Sequence, residues 1–262
     1  MQEFWIQILQ SFLIAGIWIA LATLLAEKLG SKAGGAIANL PSTILVSLVY
    51  VAIVRTPHYA AEAALAAPLG MAINTIFLFT YILMLRYHLV VAAISALSVW
   101  FFLAWLVSQS PEITILYSLG LYFAATILTF YLLEYVFKIR SIGKQKRPFK
   151  WWIVAVRTIF AGSVVGTTVA ISTFANSFWT GIFSTFPAVM LSSMTILTIS
   201  QGPRFAQAVG KTMILASINI VIYAILVHLL YTTIGVLWGT VLAFVAAALF
   251  IWFIKPLLVR MK

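Results

Sequence analysis

The side chains of this chain that could do covalent chemistry are few and scattered. Of 262 residues, five are acidic, three are histidine and none is cysteine. Hydrolysis or group transfer needs clustered carboxylates, a histidine beside a nucleophile, or a metal. Glu3, Glu27, Glu62, Glu112 and Glu134 are too far apart for any of these, and His58, His88 and His228 have no carboxylates at metal-ligand spacing. The sequence contains no Walker A motif and no dinucleotide fingerprint. It therefore reads as a non-enzyme with no implied cofactor or metal. Met190 and Met194 share a helical face that could suit a soft metal, but methionines at this spacing in an apolar helix read as packing.

A different chemistry is available around two prolines. Pro41 stands among Asn39, Ser42 and Thr43; Pro187 stands among Ser184, Thr185, Ser192 and Ser193. Inside a helix, proline removes one backbone donor and pushes away the carbonyl four residues earlier, here those of Ile37 and Phe183. In hydrocarbon such a carbonyl must face protein, water or a ligand. A pair of broken helices rich in hydroxyls can thus bind an ion or small solute. The competing reading is a kink whose own Ser and Thr hydroxyls satisfy the freed groups. Asn74 and Asn219 complete the candidate binding set, either facing solute or joining helices by hydrogen bonds.

Ionisable residues within spans are candidates for gating or coupling. Glu62 lies beside Arg55 and His58, where it could equally favour a helix start. Glu134 could pair with Lys138 at i,i+4 or with Arg157, which reaches a similar depth in the next span. Lys211 is expected to snorkel to the cytoplasm.

These residues must be positioned by membrane helices. Hydrophobic residues make up 64% of the chain, charged residues 8%, and the mean hydropathy is +1.12. That composition predicts an all-α, polytopic membrane protein. Apolar stretches predict nine spans, at 4–26, 33–54, 62–85, 89–108, 113–137, 151–174, 180–200, 206–230 and 234–254. The first is too long for a signal-peptide core and has Glu3 where a basic region would stand, so it is expected to be retained. With the N-terminus outside, Lys28, Lys32, Arg86, the Lys138–Lys150 cluster, Arg204, Lys255, Arg260 and Lys262 all fall on the cytoplasmic side, Arg55 being the exception. The net charge of +11 then reflects topology and attraction to anionic membrane lipid, with no nucleic-acid partner implied. Self-association into a homo-oligomer is left open.

The spans themselves are duplicated. Gly35, Pro41, Leu45, Ser47, Ile53, Pro57 and Ala60 recur 146 positions later as Gly181, Pro187, Leu191, Ser193, Ile199, Pro203 and Ala206. Trp5, Ala15 and Gly16 recur as Trp151, Ala161 and Gly162. Matched prolines and glycines are informative because each constrains the backbone. The duplication predicts a first four-helix unit at 1–110, a linking helix and basic cytoplasmic loop at 111–150, and a second unit at 151–262. The odd fifth span would invert the second unit, giving a 4+1+4 inverted-topology repeat.

The stretch from Leu40-Pro41-Ser42-Thr43 through the fourth span, and from Phe183-Ser184-Thr185-Phe186-Pro187-Ala188 through Phe253, resembles the GlpM family of small bacterial inner-membrane proteins. That family has about four spans per member, an aromatic-Pro signature opening the second, and a polar third span; Leu40 replaces the aromatic in the first copy. The resemblance implies two such units in tandem in the cell inner membrane, with a link to exopolysaccharide production. The reading as a whole is a secondary transporter or facilitator of an ion or small solute, with its site at the repeat interface between helices two and seven. A passive channel and a non-transporting, lipid-interacting assembly are the alternatives.

Overall fold

The computed structural model describes residues 2–28, 40–109, 114–140 and 151–260. Among them there is no strand. In chain order the helices are α1 (Gln2–Lys28), α2 (Ser42–Val54), α3 (Pro57–Met84), α4 (Leu89–Ser108), α5 (Ile115–Tyr131), α6 (Trp151–Phe174), α7 (Ser177–Ser184), α8 (Ala188–Gln201), α9 (Pro203–Ala216), α10 (Ile218–Leu230) and α11 (Gly235–Arg260). A π-helical turn, Leu132–Val136, continues α5.

Helix satisfies every backbone group within the segment, which hydrocarbon requires. Seven stretches are long and apolar enough to cross a membrane: Pro57–Met84, Leu89–Ser108, Ile115–Val136, Trp151–Phe174, Ser177–Gln201, Pro203–Leu230 and Gly235–Ile254. Ser42–Val54 is apolar but shorter, and within the 27-residue α1 the apolar stretch described is Trp5–Leu21. The described residues thus form an all-helical protein of the polytopic membrane kind, with seven full-length apolar helices against the nine spans predicted. Of the span predicted at 33–54, the helix described begins at Ser42, with Pro41 just ahead of its first turn.

Helix starts also differ from the apolar boundaries. The third span is predicted from 62, yet α3 begins at Pro57, where Thr56 accepts a hydrogen bond from the Tyr59 amide (3.0 Å). Proline suits the first helical position because its missing N–H would have no partner there. The eighth begins at Pro203 in place of 206, after Gly202 at φ +93°, a left-handed turn that favours glycine. That span also breaks at Ser217, which the sequence does not foreshadow.

α3 is the centre of the bundle and packs against α2, α4, α5, α7, α9 and α10. By contrast α4, α5 and α11 turn large apolar side chains outward, among them Phe102, Ile127 and Trp252. Gly16 faces Thr158, Gly162 faces Phe12 and Gly166 faces Ile8, so α1 and α6 run antiparallel at close range. α10 runs antiparallel to α3, with His228 Nδ1 2.8 Å from the Ala61 carbonyl and Val221 packed with Met71 and Ala72. α5 runs parallel to α3, Tyr122 packing with Met71 and Phe137 against Phe79. These directions bring Arg86, Lys138, Arg140 and Arg204 to one end of the bundle, and Arg55 and His58 to the other.

Several boundaries are spaced by 146 residues. They include Pro57 and Pro203 at helix starts, Met84 and Leu230 at ends, Leu89 and Gly235 at starts, and Lys28 and Phe174 at ends. At Pro41 and Pro187 the hydrogen bonds correspond too. The Ser42 amide donates to the Leu40 carbonyl (2.7 Å) and Leu45 to Pro41 (3.0 Å); Ala188 donates to Phe186 (2.8 Å) and Leu191 to Pro187 (2.7 Å).

Candidate functional site

The break between α7 and α8 occupies Thr185, Phe186 and Pro187, and its carbonyls are engaged within the protein. The Ile182 carbonyl accepts from the Thr185 amide (3.2 Å) and hydroxyl (2.8 Å), and the Phe183 carbonyl from the Phe186 amide (3.0 Å). Ser184 donates to the Gly181 carbonyl (2.6 Å) and Ser192 to that of Val189 (3.1 Å). Three of the hydroxyls expected to face a solute therefore bond back to their own helix.

The Thr185 carbonyl is reached from another helix. Asn74 on α3, 1% exposed, donates to it through Nδ2 at 2.6 Å and accepts from Trp100 Nε1 of α4 at 2.8 Å. The same Nδ2 lies 3.4 Å from Met71 Sδ. Asn74 thus ties three helices together at the break, the hydrogen-bonding alternative among the two sequence readings. Trp100 is absent from the sequence-derived set. Its buried indole N–H, which must find an acceptor, was the available signal. The indole also stands edge-on to Phe183 (5.6 Å) and Phe186 (4.8 Å). Close approach is set by two glycines: a Cβ at Gly181 would overlap the Ala63 carbonyl, and one at Gly70 the Thr185 hydroxyl.

At the other proline, Pro41 and Ser42 are buried and Thr43 is half-buried. The Ser42 hydroxyl turns towards the Leu40 carbonyl (3.4 Å). Gly35, Ile37 and Asn39 lie outside the described residues.

The charged candidates do not form the predicted pair. Glu134 bonds neither Lys138 nor Arg157; its Oε2 lies 2.5 Å from Lys211 Nζ. The i,i+4 pairing with Lys138 presumes an unbroken α-helix, but the chain passes through the π turn, and Lys138 leaves it exposed at φ +51°. Lys211 does not snorkel to solvent; it is fully buried, and its ammonium also donates to the Ile139 carbonyl at 2.5 Å. Arg157 Nη2 instead donates to Ser193 Oγ on α8 at 3.3 Å. Glu62 is at the far end of the bundle, 3.4 Å from His58 Nε2 on an exposed surface, one turn past the Thr56 cap. Arg55 lies over the Tyr59 ring and reaches towards the Thr173 carbonyl.

The structure therefore joins Asn74 to Thr185 and Arg157 to Ser193, and gathers Ser184, Thr185 and Pro187 at one break. Glu62 and Glu134 are separated by the length of the bundle, and Asn219 is buried near the start of α10. Met194 is buried in the core and Met190 packs against it. Among the described residues no three His, Asp or Glu side chains converge on a point where a metal could bind.

Residues 8–112, from within α1 to just beyond α4, match the family model described as "Protein of unknown function (DUF3147)". No curated protein and no solved structure matches the chain.

Proposed function

We propose that the chain is a secondary transporter or facilitator of an ion or small solute, built as a four-plus-one-plus-four inverted repeat with its site between the proline-led helices α2 and α8. The observation that carries this reading is the register of α1 on α6. Residues 12 and 158 are equivalent at the 146 spacing, and so are 16 and 162. Gly16 against Thr158 and Gly162 against Phe12 are then one contact made twice between antiparallel helices. A two-fold axis lying between them produces that self-complementary pattern. The matched helix boundaries and the matched bonding at Pro41 and Pro187 support the same axis. The family match at 8–112 nearly coincides with the first unit and supports treating it as one.

In this reading the end bearing Arg86, Lys138, Arg140 and Arg204 is cytoplasmic, with the N-terminus outside and the C-terminus inside. The resemblance to small bacterial inner-membrane proteins favours the inner membrane. The closed bonding at Thr185–Pro187 favours a transporter over a passive channel, which would keep a continuous polar path. A solute would enter by exchanging with the Asn74 tether. The back-bonded hydroxyls of Ser184, Thr185 and Ser192 favour a second reading, a non-transporting assembly in which the prolines only shape helices.

The two readings separate in a thermal-unfolding screen of the purified protein against inorganic ions and small polar solutes. A bound solute raises the midpoint by stabilising the folded state. In the transporter reading some solute does so, and Pro41→Ala and Pro187→Ala each abolish the rise while the protein still folds. No rise with any solute, together with proline variants that lose only folded protein, would end the transporter reading.

A further inference from the structure

Within that transporter reading, we propose that Glu134 and Lys211 form a one-sided ionic gate at the basic end of the bundle; among the described residues only this end carries an ion pair with a buried member, the His58–Glu62 contact at the other end being exposed. Lys211 stands eight residues into α9 from Pro203, and its side chain is fully buried. An ammonium at that depth is costly unless paired and hydrogen-bonded. The end of α5 supplies both requirements. Through the π turn the Phe137 amide donates to the Leu132 carbonyl (2.8 Å), and Ile139 then donates to Leu133 (2.9 Å) around Lys138 at φ +51°. The Ile139–Leu133 bond spans one residue more than the usual helix-ending bond because it closes a π turn, and the left-handed position it encloses is one that usually takes glycine. Here a lysine adopts it, and the bend delivers the Ile139 carbonyl to the ammonium that Glu134 already holds.

The mirrored position differs in kind. The residue 146 before Lys211 is Leu65, which likewise stands eight residues into its helix, from Pro57. There the buried contacts of α3 involve no ion pair: Tyr59 Oη donates to the Ala175 carbonyl (2.9 Å) and lies 3.0 Å from the Thr180 hydroxyl, and His228 meets the Ala61 carbonyl, while Arg55 reaches the Thr173 carbonyl only at the exposed rim. α5, which belongs to neither four-helix unit, is the element that makes the ends unequal. Because α5 also packs on α3, the pair fastens α9 of the second unit to the first. Glu134 keeps 27% of its side chain exposed, so water or an arriving ion can compete for it while Lys211 stays shielded. Separating the pair would leave α9, and α8 packed on it, held at this end by the weaker, uncharged bond from Gln207 Nε2 to the Ile82 carbonyl (2.9 Å).

The test uses the full chain, whose natural lack of cysteine makes Ser192→Cys the sole thiol. Ser192 is buried on α8 and its hydroxyl bonds only to its own helix, so the replacement is nearly isosteric. In vesicles of each orientation, labelling by a membrane-impermeant maleimide is timed with Glu134 and Lys211 intact, with Glu134→Gln, and with Lys211→Met. A gate predicts labelling about tenfold faster in either variant from the basic face only, and an unchanged rate from the other face. Equal rates in all three proteins, or acceleration from both faces at once, would overturn it. Should Lys211→Met fail to accumulate, Glu134→Gln decides alone. The transport reading fails separately, on the solute screen of the parent protein.

Discussion

α3 and the α9–α10 pair have the same length and matched ends, yet one is continuous and the other broken. α3 carries Pro68 in its interior and runs unbroken from Pro57 to Met84; α9 and α10 contain no internal proline and part at Ser217. Surroundings account for the difference. In α3, 78% of the most apolar stretch is buried, against 44% in Pro203–Leu230. Helices on several sides hold α3 continuous through a missing hydrogen bond. At Ser217, the hydroxyl donates to the Ile214 carbonyl (2.7 Å) and lies 2.8 Å from Tyr122 Oη, which anchors the break to α5. An internal proline is thus neither required for a break nor enough to cause one, and packing decides the outcome. The two regions also differ in what binds them: α3 is held by small residues and hydrogen bonds, whereas α9 adds a buried charge to the Gln207–Ile82 hydrogen bond.

The contrast between charged and neutral attachment breaks most sharply at Glu134. Glu134→Ala strands a fully buried ammonium and is expected to destabilise the protein by about 3–5 kcal/mol, clearly more than Lys211→Met, which leaves a partly exposed carboxylate. Equal losses in denaturant unfolding of the two variants would place Lys211 in contact with solvent and dissolve the contrast. On the neutral side, Asn74→Leu leaves Trp100 Nε1 and the Thr185 carbonyl without their shared partner, at about 1–3 kcal/mol for each group. Indole fluorescence should report the loosened ring alongside the lowered unfolding midpoint. Unchanged stability would mean water replaces the amide, and that the α7–α8 break is wetter than its bonding indicates.

The smallest effects probe continuity itself. Ser217→Ala should cost about 0.5–1.5 kcal/mol through the lost link to Tyr122. Pro68→Ala should change stability by less than about 1 kcal/mol, since the packing around α3 already compensates for the missing donor. A large gain from Pro68→Ala would show α3 to be strained and would reverse the explanation offered for its continuity.

What was legible in the sequence followed from composition and from residues that act on their own backbone. Apolar length located the helices to within a few residues, and Pro187 marked a true break. The sequence readings of charge went astray where they assumed regular helix. The proposed Glu134–Lys138 pair rested on α-helical spacing that the π turn removes, and Lys211 read as a snorkelling lysine because nothing local reveals that α5 closes over it. Trp100 escaped notice because a tryptophan in an apolar span resembles a lipid-facing one until its N–H acceptor, on a different helix, is known. Each of these depends on residues brought together from distant parts of the chain.

The central position of α3 also has a consequence in time. Its Asn74 is bonded to Thr185, 111 residues later in the chain, and α7, α9 and α10, which cover much of its surface, are all synthesised after it. At ordinary translation speeds that interval is roughly 5–20 s. For that period α3 stands with its alanine face and the Asn74 Nδ2 donor uncovered, so the newborn first half depends on lipid, or on the insertion machinery, as a temporary neighbour.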